Sequence, residues 1–281
     1  MSKVAIIGGT GLYNLEGLEV TDEKTVETPF GAPSAPLIFG RAGAHDVIFL
    51  PRHGNRHHLI PSEVNYRANI WALKSAGATS LISVSAVGSL REELAPGGLA
   101  LPTQYIDMAM GTRAKTFFGD GVVAHVSTAK VTNTALSDRL AAAALKAGAT
   151  LHRDKTYVAV EGPRFGSRAE SFWWRSAGAD VVGMTQVPEV FLAREAQLAQ
   201  STIAVLTDYD CWRESDEDHV TVEAVMAQYA ETLVLVRETL FTLLAEPWEP
   251  QARPSDVAPS IMTPRASWPE GKAAMVDVLL K

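Results

Sequence analysis

Two acids stand at the end of the run Ser201-Thr-Ile-Ala-Val-Leu-Thr-Asp-Tyr-Asp-Cys-Trp212, at Asp208 and Asp210. The β-branched run before them reads as a buried strand. In open α/β sheets ligands bind outside the carboxyl ends of the strands. Carboxylates at such a place do little for stability and suit proton transfer or the grip of a hydrogen-bond donor. A cationic cluster, Arg52-His53-Gly54-Asn55-Arg56-His57-His58, follows another strand, Asp46 to Leu50. It lacks the Asp, Glu or Cys at ligand spacing that a metal would want. A solvated basic loop is the plain alternative, but in an acidic chain such a cluster better suits an anion, because the Arg fork matches phosphate geometry. Two further strand ends carry small residues: Gly8-Gly-Thr-Gly11 and Ser85-Ala-Val-Gly-Ser89. Such turns bring backbone N–H groups close to an anion. The first fails the dinucleotide fingerprint, since Gly9-x-Gly11 continues to Leu12-Tyr13-Asn14 with no third glycine at the required place, and taken alone it is a tight turn.

The elements that must position these groups are read from periodicity. Lys3 to Ile7 is a strand, and residues 20–50 carry several short ones. Ser62 to Gly77 is predicted as a helix, with Ser62 as N-cap and Gly77 as stop. Ser80 to Ala86 is a strand, residues 98–107 a strand pair, and 108–133, including His125, irregular. Helices follow over Ala135–Gly148 and, capped by Ser167, Arg168–Ala177. Tyr157–Glu161 and Asp180–Gly183 are strands. A helix starts at Pro188-Glu189, and His219 to about Ala245 is a long amphipathic helix. Strands alternating with helices give an α/β fold: one domain with a mixed central sheet, partly closed into a barrel and flanked by helices. The expected division is 1–246 for the domain and 247–281 for a Pro-rich linker and a terminal segment that packs back, as a lid.

The chain has 281 residues, 47% of them hydrophobic, and a formal net charge of −7. That is enough for a sizeable core. The acidic balance argues against a nucleic-acid partner. One cysteine, Cys211, excludes an internal disulfide. No signal peptide and no membrane-length apolar run is read, so the expected compartment is the cytoplasm, with no membrane partner.

Several of these stretches, taken together, resemble the 5′-methylthioadenosine phosphorylases of the trimeric purine nucleoside phosphorylase family. They are Gly8-Gly-Thr-Gly-Leu12, Pro51-Arg-His-Gly54, Asn65-Tyr-Arg-Ala-Asn-Ile-Trp-Ala-Leu73, Glu161-Gly-Pro-Arg-Phe165, Ser167-Arg-Ala-Glu-Ser171, Met184-Thr185, Val187-Pro-Glu-Val190 and Thr207-Asp-Tyr-Asp-Cys-Trp212. The likeness runs from residue 3 to about residue 230. It implies a phosphate site at Thr10, Arg52, His53, Ser85, Ala86 and Thr185. It implies Met184 under the ribose, Phe165 on the purine with Gly166 beside it, and Asp208 and Asp210 at the base. His57, Val222, Val225 and Met226 would wall the 5′ substituent, completed by His125 of a neighbouring subunit. The implied assembly is a homotrimer or a dimer of trimers. No metal or cofactor is implied, phosphate being a co-substrate.

The residues suit that chemistry. Breaking an N-glycosidic bond builds positive charge on the sugar and negative charge on the purine. A phosphate below the ring stabilises the cation and attacks C1′, and an acid such as Asp208 protonates N7. Asp210 would raise the Asp208 pKa as a neighbouring like charge. Carboxylates at the base favour a 6-aminopurine, whose amino group donates. Three positions depart from the family pattern: Gly166 for Ser or Thr, Gly183 for Asn, and Asn55-Arg56 after the Arg-His-Gly turn. Gly166 would remove a polar contact and Gly183 would loosen the floor of the base pocket. The rival readings are a phosphorylase for another 5′-substituted adenosine, such as a halogenated one, or for 5′-methylthioinosine; a broader purine nucleoside phosphorylase; a hydrolytic nucleosidase; and a non-catalytic dinucleotide-binding module.

Overall fold

The computed structural model describes residues 3–9, 12, 15, 17–111, 113–213, 222–249 and 256–281. Nine strands form one sheet: β1 Lys3–Gly8, β2 Glu19–Lys24, β3 Leu37–Ala42, β4 His45–Pro51, β5 Ala78–Ser89, β6 Leu99–Met108, β7 Leu151–Val160, β8 Val181–Gly183 and β9 Ala199–Asp208. Their order is β2-β3-β4-β1-β5-β8-β7-β6-β9, and β9 also pairs with β5. The second pairing closes β5, β8, β7, β6 and β9 into a five-stranded barrel, with β5 shared between the barrel and the open sheet. This is the mixed, partly closed sheet expected from the sequence.

The inner strands are buried on both faces and therefore read as unbroken apolar runs. In β1, Val4 and Ile6 join one hydrophobic cluster and Ala5 and Ile7 another, and Val47/Phe49 and Ile48/Leu50 of β4 divide the same way. Helices α2 (Thr134–Lys146) and α5 (Val222–Ala245) cover the first face. Helices α1 (Tyr66–Ser75) and α6 (Lys272–Leu279) cover the second. Helices α3 (Arg168–Ser176) and α4 (Gln186–Glu195) complete the set. No helix among the described residues is long and apolar enough to cross a membrane.

Several local expectations are corrected. Helix α1 is capped by Asn65, whose side chain accepts from the Ala68 N–H, and not by Ser62. The turn at 61–63 comes first, with the Tyr66 hydroxyl donating to the Pro61 carbonyl. Residues 99–108 are a single long strand, not a pair, because β6 runs parallel to β7 along its whole length. Helix α3 starts where expected, with a complete Ser167–Glu170 capping box. The terminal helix α6 does pack back onto the body, against α1. There the Trp71 indole donates to the Met275 carbonyl at 3.3 Å. None of the described residues after 249 lines the cavity at the strand ends that holds Asp208 and Asp210.

Candidate active site

The carboxyl ends of β1, β4, β5, β7 and β9 meet around a cavity of about 280 Å³. The register explains the convergence: Gly8 pairs with Pro51, and Gly88 with Asp208. Among the sequence-predicted residues, Arg52, His53, His57, Ser85, Ala86, Phe165, Gly166, Met184, Thr185, Asp208, Asp210, Val222, Val225 and Met226 all line it. Thr10 lies outside the described residues. His125 is not on the wall of its own chain's cavity; its backbone N–H donates to the Ser260 carbonyl at 3.0 Å.

One end of the cavity is polar. Arg52 is fully buried, and its Nε and Nη2 donate to the Glu189 carboxylate at 2.7 Å each, while Nη1 donates to the Val84 carbonyl at 2.9 Å. The Ser83 hydroxyl donates to the same Glu189 at 2.6 Å. An unpaired buried guanidinium would be prohibitively costly; this bidentate pair offsets the desolvation and fixes the fork. The sequence reading gave Glu189 no role of its own, placing it at a helix start and within the stretch Val187-Pro-Glu-Val190. Charge accounting would have found it, since an arginine behind a buried strand needs a counter-ion. Ser85 Oγ lies 3.4 Å from Thr185 Oγ1, so the two hydroxyls share one spot beside Arg52.

His53 Nδ1 is 2.9 Å from the Leu59 carbonyl. A carbonyl only accepts, so Nδ1 carries the proton. Burial first, and Arg52 next, hold the ring neutral by pushing its pKa down to about 4. The other ring nitrogen is then an acceptor, which leaves the backbone N–H as the group His53 can offer an anion. His57 stacks on His53 with ring centroids 4.5 Å apart.

At the other end, burial raises the Asp208 pKa to about 6, opposed by the Thr207 hydroxyl 2.6 Å away and assisted by Asp210. The cause expected from the sequence, a like charge on Asp210, is present but secondary to desolvation. Asp210 is raised as well, again mainly by burial. Arg213 does not neutralise them: its ion pair is with Glu92, and its guanidinium sits on the Tyr209 ring. Phe165 is 40% exposed at the rim, a ring face open for stacking. The third wall, Val222, Val225 and Met226, comes from the start of α5 and is apolar.

The two glycine departures are not gaps. A Cβ at Gly166 would lie 2.4 Å from Trp174 Cη2, and one at Gly183 would lie 2.0 Å from the Tyr157 hydroxyl. Large rings from α3 and β7 already fill both places, so the expectation of a loosened floor at Gly183 is corrected. Arg113, also missed, ties the surrounding turns together. Its guanidinium donates to the carbonyls of Met184 (2.6 Å), Val187 (2.9 Å) and Glu161 (2.6 Å). Its position in the irregular 108–133 stretch left no periodic signal to find it by.

A buried acid with a raised pKa, an apolar wall and a polar end with aligned donors suit cleavage of a ligand with a basic leaving group and an anionic partner. Comparisons agree. The model of the phosphorylase superfamily matches residues 3–241. The S-methyl-5′-thioadenosine phosphorylase of Geobacter sulfurreducens is 51% identical over 237 residues, covering 84% of this chain and 82% of its own. The crystal structure of a methylthioadenosine phosphorylase from an antarctic soil metagenomic library superposes with a TM-score of 0.91 at 39% identity, covering 100% of this chain and 99% of that one. The methylthioadenosine phosphorylase of Schistosoma mansoni, in complex with adenine, does so with a TM-score of 0.84 at 39% identity, covering 88% of this chain and 94% of that one.

Proposed function

The chain belongs to the phosphorylase superfamily, and from that membership we propose that it converts 5′-deoxy-5′-methylthioadenosine and phosphate to adenine and 5-methylthio-α-ribose 1-phosphate. The observation that carries the reading is the layout of the cavity: a protonatable Asp208 at one end, the Arg52, Ser85 and Thr185 cluster at another, and an apolar wall at the third.

Phosphate sits on the Ser85 and Thr185 hydroxyls, the Ala86 and His53 backbone and the free edge of the Arg52 fork, with Thr10 as a further hydroxyl. It lies on the face of the ribose opposite the purine and Met184 packs on the sugar. As the C1′–N9 bond lengthens, positive charge on the sugar is met by the phosphate, whose oxygen then forms the new C1′ bond with inversion. The electron pair of the broken bond goes to the purine. Asp208 gives its proton to N7, so adenine leaves neutral, and Asp208 recovers a proton from solvent. Phe165 holds the base, and Asp210 accepts from the 6-amino group. Such preorganised donors at developing charge are the largest usual source of rate enhancement.

The apolar wall of Val222, Val225 and Met226 favours a 5′-methylthio group over a 5′-hydroxyl, which would lose its hydrogen bonds there. The working assembly is a homotrimer in the cytoplasm, His125 of one subunit closing the 5′ pocket of the next, and phosphate is the only co-substrate required. A panel of 5′-substituted adenosines and inosines, assayed with and without phosphate, tests this. Methylthioadenosine is expected to exceed adenosine in kcat/KM by about 10–200-fold, the worth of one small group in an apolar pocket. Turnover that persists without phosphate would make the enzyme a hydrolase, and a preference for inosines would refute the roles of Asp208 and Asp210.

A further inference from the structure

The Tyr157 side chain is fully buried beneath the cavity, at the carboxyl half of β7. Its hydroxyl lies next to Gly183, where a Cβ would approach to 2.0 Å. It is 3.4 Å from Ser85 Oγ and 3.5 Å from the Thr185 backbone N. Both neighbours belong to the polar end of the cavity, and Ser85 Oγ is itself 3.4 Å from Thr185 Oγ1. Three groups that can donate are therefore strung together under one spot.

The donor count orders this string. The Thr185 N–H can only donate, so the Tyr157 oxygen accepts from it. A phenol has one hydrogen, and with the Ser85 hydrogen directed at the Ala86 carbonyl, which only accepts, Ser85 Oγ is the acceptor left for it. Ser85 then has its oxygen occupied and its own hydrogen to direct elsewhere. Within the protein that hydrogen has the Ala86 carbonyl at 3.2 Å. An anion is the better acceptor, because charge-assisted hydrogen bonds are roughly twice as strong as neutral ones. The spacings are long for hydrogen bonds, which leaves the hydroxyls freedom to turn. Aligned in this direction, each dipole strengthens the next. Desolvation raises the phenol pKa, so Tyr157 keeps the proton the string requires.

We propose that Tyr157 is a positioning residue of the phosphate site: its phenol takes the space of the absent side chain at 183 and donates to Ser85, turning the Ser85 hydrogen toward the bound anion. The inference rests on phosphate binding at Ser85, as proposed above.

The test uses the full-length enzyme and three variants: Tyr157→Phe, Ser85→Ala and the double. Phosphate and nucleoside KM values are measured separately, and sulfate is titrated calorimetrically as a non-reacting mimic. Tyr157→Phe is expected to raise the phosphate KM and the sulfate dissociation constant about three- to tenfold, the worth of one hydrogen bond, with the nucleoside KM moving less than about twofold. Ser85→Ala should raise the same two quantities, and the double variant should be no worse than Ser85→Ala, since Tyr157 acts through Ser85. If Ser85→Ala weakens phosphate and Tyr157→Phe does not, the inference about Tyr157 fails alone. Additive losses, or equal losses for both substrates with a lower unfolding temperature, would reduce Tyr157 to a packing role and overturn it too. If neither variant touches phosphate or sulfate, the phosphate site is elsewhere. Should Tyr157→Phe not fold, Tyr157→Met, of similar reach and without the donor, is read in the same way.

Discussion

Asp208 has to carry a proton at a pH where an ordinary aspartate has lost it. Burial does most of that work, raising its pKa to about 6, so about one molecule in ten is protonated at pH 7. At saturating phosphate, kcat/KM for the nucleoside should fall as pH rises above about 6. Asp208→Asn should remove that limb and lower the rate about 10²–10⁴-fold, the usual worth of a positioned acid. A variant within tenfold of wild type would rule out Asp208 as the donor. The same shift affects stability with a definite sign. The folded pKa lies above the ordinary 3.8, so the folded state binds more protons between about 4 and 6, and stability falls as pH rises through that window. Asp208→Asn should therefore melt higher than wild type at pH 7.5 and no higher at pH 4. His53, neutral above about pH 4, should add no limb of its own between pH 5 and 8.

At the scale of elements, the site depends on α4. It carries Glu189, which holds Arg52, and Glu195, which accepts from the Thr116 hydroxyl at 2.6 Å and the Phe117 N–H at 2.7 Å. Burial raises the Glu195 pKa to about 7 against those two hydrogen bonds. By the same sign rule its contribution to stability declines as pH rises from about 4.5 to 7. Between pH 6 and 7, beyond the window of Asp208, the unfolding temperature should keep dropping, and Glu195→Gln should flatten that drop. An unchanged slope would deny Glu195 this part. Elements were also where the sequence was most readable. The strand runs, the Ser167 box and the long final helix of the domain follow from periodicity and capping chemistry. What escaped was long-range. Asn65, the cap in place of Ser62, is itself held by its amide donating to the Phe30 carbonyl, 35 residues away. Glu189 and Arg52 are 137 residues apart. Gly183 looked like a deficit because its filler, Tyr157, lies on another strand.

For the whole molecule, one sheet contributes ends from both its open and its closed part to a single cavity, and β5 belongs to both. Most of the cavity wall was legible from strand ends and family motifs; the buried groups behind it, Glu189, Tyr157 and Arg113, were not, since they contact one another only after folding. The proposed trimer makes a prediction at this scale. If His125 serves the neighbouring subunit, chains carrying His125→Ala and chains carrying Asp208→Asn are both impaired alone. Co-expressed, they form sites in which Asp208 of one subunit meets His125 of the other. Methylthioadenosine activity should rise above the sum of the two pure variants, and no rise would place His125 outside the site.

The close approach at Gly183 also bears on how such a floor can change over generations. A side chain gained at 183 while Tyr157 is in place meets its hydroxyl oxygen at 2.0 Å and the ring carbon behind it at 2.6 Å. Shortening Tyr157 first leaves a hole, which costs stability but can still be folded around. The two positions are therefore coupled in order: a side chain at 183 is accommodated only once the phenol is gone, and the phenol only once that side chain is gone.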